Sequence, residues 1–164
     1  MIIFTHHTGE PHGILGAQAA ATFFSRHLAM PTVVVGVQRD FDADALFRFV
    51  EEHYRDQARL IAFSHLCGRK DLVALAESLK ERDFRIILGG PQAKVDYYGE
   101  DDQATFPYRF KGLKDFVDLA VQGPVDLLRT EQLAGRGCIE LPWTKNVAIE
   151  VDWSNLFIFS DSVR

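Results

Sequence analysis

An α/β domain built on a parallel sheet is the fold class this 164-residue sequence predicts. Two observations carry that expectation. Short continuous apolar runs, the kind expected of strands buried on both faces, recur through the first ninety residues. Between them lie stretches whose apolar residues repeat at helical spacing. A third fact bounds the class: hydrophobic residues make up 47% of the chain, enough for one domain with a proper core.

Met1 to Phe4 reads as the first strand, and Gly13 to Leu28 as a helix. Ile14, Leu15, Phe23, Phe24 and Leu28 form its stripe, with alanines between them that suit close packing on a sheet. "TVVVGV" (32–37) is the second strand, a β-branched run. Asp42 or Asp44 can cap a second helix that carries Leu46, Phe47, Val50 and Tyr54 on one side. "RLIAFS" (59–64) is the third strand, followed by a helix over Lys70 to Arg82 with Leu72, Val73, Ala76 and Leu79 inward. "RIILGG" (85–90) is the fourth. The resulting β-α-β-α-β-α-β order implies parallel strands joined by right-handed crossovers.

Beyond Gly90 the pattern is looser. "KVDYYGEDDQATFPYRF" reads as a short helix and a loop. "FVDLAVQG" (116–123) reads as a fifth strand, and "PVDLLRTEQLAG" as a short helix with Pro124 in its first turn. "CIELPW" and "NVAIEV" resemble edge strands or an extended arm, and "WSNLFIFSDSVR" a linker. The expected division is an α/β domain over 1–132 and a C-terminal extension over 133–164.

The net charge of −5 and pI near 5.6 argue against nucleic-acid and membrane-surface partners, which favour basic patches. No apolar run reaches the roughly 18 residues of a membrane span. The start, MIIFTHHTGE, has no signal-peptide pattern, so the expected compartment is cytoplasmic. Cys67 and Cys138, the two cysteines, make neither a disulfide framework nor a four-thiolate metal site.

In open parallel sheets, ligands bind beyond the carboxyl ends of the strands. The segments there are "THHTGEPHG", "QRDFD", "SHLCG", "GGPQA" and "QGPVD". The first has neither the glycine spacing of a dinucleotide fingerprint nor a Ser/Thr-rich phosphate loop. Ser64 puts a hydroxyl where an apolar strand ends, and Gly89-Gly90 strips the backbone where another does. Those glycines make either a tight turn into Pro91 or a surface against which something large must lie.

These loops resemble those of the N-terminal cobalamin-binding domain of B12-dependent radical SAM proteins. The family carries D-x-H-x-x-G after the first strand, S-x-L after the third and G-G after the fourth. Here Ser64-His65-Leu66 is an S-x-L, Gly89-Gly90 is the G-G, and "GGPQA" is close to the family's GGPHA form. "PHGILGAQAAATF" resembles the start of its first helix. Glu10-x-His12 stands where the Asp-x-His pair would be, with the following glycine one place late, at Gly16. "QGPVD" replaces the family's usual G-E-G-E.

The resemblance implies a flavodoxin-like (Rossmann-like) three-layer sandwich with a five-stranded parallel sheet. It also implies a cobalamin whose nucleotide tail threads beside the sheet. The cofactor-binding residues would be Glu10, His12, Gly13, Ser64, Leu66, Gly89, Gly90, Pro91, Gln122 and Gly123. Ser64 would bond the buried base, Gly89 and Gly90 would line the tail, and His12 would be the axial cobalt ligand with Glu10 fixing its tautomer. No C-x3-C-x2-C motif is present, so the iron–sulfur cluster and S-adenosylmethionine would belong to a radical SAM domain acting in cis or in trans. Alone, the chain is expected to bind without catalysing. The alternative is a cofactor-free α/β domain that serves as a packing or protein-interaction module.

Overall fold

The structure, a computed structural model, describes residues 1–7, 14–38, 41–53, 59–66, 68–102, 104–143 and 151–159. Among the described residues the strands and α-helices follow in the order β1 (Ile2–His6), α1 (Leu15–His27), β2 (Val33–Val37), α2 (Ala43–His53), β3 (Leu60–Phe63), α3 (Lys70–Glu81), β4 (Arg85–Gly89), α4 (Ala93–Tyr98), β5 (Leu119–Gln122), β6 (Gly137–Glu140) and β7 (Leu156–Phe159). Asp42 is the residue that caps α2, its carboxylate accepting the Ala45 amide at 3.0 Å.

All strands run parallel, in the order β6-β5-β4-β3-β1-β2-β7. The inner order 2-1-3-4-5 is that of the flavodoxin-like doubly wound sheet. The sheet has seven strands and not the five expected. Both extra strands come from the segment read as an extension: β6 pairs with β5 and β7 with β2. Without them β2 and β5 would present rows of unpaired amides and carbonyls to solvent.

Alternation along each strand divides the core in two. Ile2, Phe4, Val35, Ile61, Phe63, Ile86 and Leu88 point to one face, where Leu46 and Val50 of α2 and Leu72, Leu75 and Leu79 of α3 cover them. Ile3, Val34, Ala62, Ile87, Leu119 and Val121 point to the other, beneath Ala17, Ala21 and Phe24 of α1. The stretch after β5 is not the single short helix expected. It forms two 3-10 turns, Val125–Leu127 and Thr130–Ala134, with Leu128 and Arg129 extended between them. That break lets Leu128 and Leu133, 3% and 4% exposed, both reach the core. Among the described residues, one full helix then covers the α1 face.

At the edge of the sheet where strands begin, Asp118 ties three elements together. Its carboxylate accepts Lys80 Nζ of α3 at 2.7 Å and the Ile86 amide of β4 at 2.9 Å. Burial pushes this carboxyl up, but the Lys80 ammonium and the Ile86 amide outweigh that and hold it below its ordinary range.

Candidate functional site

Toward their carboxyl ends, the strands that carry bulk to one face carry smaller residues to the other. Phe4 and Phe63, with ring centroids 5.4 Å apart, and Leu88 fill the α2/α3 side. One residue along each strand, Thr5, Ala62, Ser64 and Gly89 face α1. The helix answers with Gly16, Ala17, Ala19 and Ala20. Small residues facing one another on these two walls, with Ile3, Ile87 and Val121 beside them and no second helix over the gap among the described residues, leave a cavity of about 1080 Å³. Ligand pockets commonly run from about 300 to 1,000 Å³, so this one is large. It reaches the carboxyl ends of β1, β3, β4 and β5, and follows α1 from Gly16 to His27. At 1.5 Å per residue, that is about 16 Å of helix axis.

The polar groups are few and sit at the strand ends. Ser64 Oγ donates to Thr5 Oγ1 at 2.8 Å, and the Ser64 amide continues the ladder to the Phe4 carbonyl at 3.0 Å. Two hydroxyls that share one bond retain one O–H and several lone pairs for a further partner. His6 Nδ1 donates to the Val37 carbonyl at 3.3 Å, which fixes its ring at the cavity wall. Phe23, stacked on His27 with centroids 5.2 Å apart, lines the cavity along the last turns of α1.

The glycines divide by cause. Gly90 has φ +125°, and a Cβ there would stand 2.7 Å from the Ser64 carbonyl oxygen, so the fold itself requires glycine. Gly123, at φ +111°, is likewise required, because a Cβ would collide with the Leu141 carbonyl. Gly89 differs: it does not occupy the positive-φ region, and a Cβ would meet nothing closer than the Phe63 carbonyl at 3.9 Å. Gly16 has nothing within 4 Å of such an atom. Both line the cavity, so their bareness enlarges it without relieving any contact within the chain.

Of the residues named from sequence, Ser64, Gly89, Gly90, Pro91 and Gly123 come together around this cavity. Leu66 and Gln122 do not. Leu66 is fully buried in the α2/α3 core, and Gln122 turns to the α4 side, where its Oε1 accepts the Lys94 amide at 3.2 Å. Glu10, His12 and Gly13 lie outside the described residues. Among the described residues, no group of three or more His, Cys, Asp or Glu side chains is placed to hold a metal ion. Sequence reasoning missed Thr5, Ala62 and Trp143. Period-2 alternation from Ile3 would have placed Thr5 on this face, whereas nothing local signals Trp143.

No family model, curated protein or solved structure matches the chain. No described helix is long and apolar enough to cross a membrane.

Proposed function

We propose that the chain is a cobalamin-binding module of the kind that serves B12-dependent radical SAM proteins. The observation that carries this reading is the open cavity on the α1 face, bounded by Ser64 and by a Gly89 that no contact within the chain demands. A long ligand segment with a flat, mostly apolar heterocycle suits those walls. The Ser64–Thr5 hydroxyl pair would bond a nitrogen of that heterocycle, and Gly89 and Gly16 would let the tail lie against bare backbone. Gly90, Pro91 and Gly123 shape the rim. In this reading His12 would hold the cobalt and Glu10 would orient its imidazole.

When bound, the corrinoid supplies a cobalt centre that carries a transferable group. The chain's own task would be to hold it, with the cavity walls keeping water from the part bound beside the sheet. The cleavage of S-adenosylmethionine falls to a radical SAM domain in cis or in trans.

The test is a visible spectrum of the purified chain after incubation with hydroxocobalamin and desalting. Retained corrinoid with a base-off spectrum, reduced in Ser64→Ala, is the expected result. A folded protein that emerges free of corrinoid would overturn the reading in favour of a cofactor-free interaction module.

A further inference from the structure

We propose that Trp143 is the stacking residue of this site, its indole lying against the flat conjugated ring of the bound ligand where that ring leaves the cavity. The inference rests on reading the cavity as a cofactor site. Trp143 lines the cavity and yet is 70% exposed. An indole offers a large rigid apolar face, and one left so open at an apolar mouth gives the fold itself little burial.

The backbone that delivers it is firmly held. The Leu141 amide donates to the Gln122 carbonyl at 2.8 Å, one step beyond the β5–β6 ladder, and the Leu141 side chain is 9% exposed in the α1-face core. The Leu141 carbonyl packs where Gly123 has no side chain, so Gly123 acts as a cradle for this crossing. Pro142 then restricts the link between the anchored Leu141 and the indole. Pro91 and Pro124, both apolar and rigid, line the same cavity. An indole carried on an anchored backbone, in a cavity that two prolines also line, suits a planar ring.

Trp153, the second tryptophan, is 48% exposed and does not line the cavity, which makes it the internal control. Equilibrium dialysis against hydroxocobalamin is run on the unaltered chain and on W143A, W143F and W153F, with a thermal melt of each free protein. Stacking on an aromatic side chain is commonly worth a factor of roughly 5 to 150 in affinity. W143A is therefore expected to bind about tenfold or more weakly, W143F to recover most of that loss, and W153F to match the unaltered chain. The free W143A protein is expected to melt within ~2 °C of the parent, because little indole area is buried. If the parent binds and W143A binds equally well, the stacking role fails while the cofactor site stands. If W143A and W143F both lose binding together with a lowered melting temperature, Trp143 is a structural residue and the inference is overturned. If the parent itself retains no corrinoid, the cavity reading fails and this inference with it.

Discussion

Gly89 and Gly90 are neighbours with opposite causes, and substituting each with alanine should move stability in opposite directions. At Gly90 the new Cβ meets the Ser64 carbonyl at 2.7 Å, in a backbone conformation that side chains rarely adopt. A residue held in such a region costs of order 1–3 kcal/mol. For a domain of this size, 1 kcal/mol shifts the melting temperature by roughly 2–4 °C, so G90A should melt about 2–12 °C lower. At Gly89 the new Cβ has ordinary contact distance and an accessible φ. The loss of unfolded-state freedom then favours the folded chain by about 0.4–1 kcal/mol, and G89A should melt about 1–4 °C higher. Extending the series to G89L places an isobutyl group in the cavity. That variant should fold with stability within about 1 kcal/mol of the parent while its retention of hydroxocobalamin falls at least ~100-fold. Thermal melts followed by circular dichroism, paired with desalting spectra, read both quantities. A destabilised G89A, or a G89L that keeps corrinoid as the parent does, would refute the claim that this glycine serves the cavity and not the turn.

Other perturbations test the frame around the site. Asp118→Asn removes the carboxylate that holds Lys80 and the Ile86 amide and should cost about 1–3 kcal/mol at pH 7 in urea melts. Because the folded carboxyl ionises below its ordinary value of 3.8, its contribution is full above about pH 4 and fades as pH falls through the folded pKa. The gap between parent and variant should therefore narrow in melts at pH 3. Arg69, 7% exposed, keeps one guanidinium nitrogen without a partner and shares its Nε proton with Asp71 at 2.8 Å. Asp71→Asn should cost about 2–3 kcal/mol, read by the same melts, since it strands a buried charge whose partner is itself partly exposed. At Gly36, an added Cβ would stand 2.9 Å from Ile158 Cδ1 and 3.2 Å from His7 Cβ. Gly36→Val should loosen β7 by about 1–3 kcal/mol, seen as faster hydrogen exchange over 156–159 with β3 and β4 unchanged.

The inner strands were legible because each is a continuous apolar run that needs no knowledge of its neighbours. "LFIF" in β7 is just as apolar, but its partner β2 lies some 120 residues earlier, and nothing local announces a pairing over that distance. After β5, the helical periodicity of "PVDLLRTEQLAG" was real, yet anchoring both Leu128 and Leu133 won over a continuous helix. In the site, Ser64 and Gly89 were visible as polar or bare residues at strand ends. Gly90 and Gly123 carry the same letter for a different reason, which only φ and the nearby carbonyls disclose. Leu66 just after β3 and Gln122 at the end of β5 turn to the opposite face. Proximity along the chain to Ser64 and Gly123 therefore did not make them part of the cavity.

The two outermost strands, β6 and β7, have a consequence for how the chain is made. They lie on opposite margins of the sheet, yet both are encoded after residue 136. On the ribosome, the five inner strands emerge first, with β2 and β5 as raw margins able to pair with another nascent copy. Termination of synthesis at residue 132 would release a product with the cavity's strand ends and α1 in place but with two adhesive flanks and no Trp143. Such a truncated product should collect in inclusion bodies, and chaperone demand during translation should be highest just before β7 clears the exit tunnel.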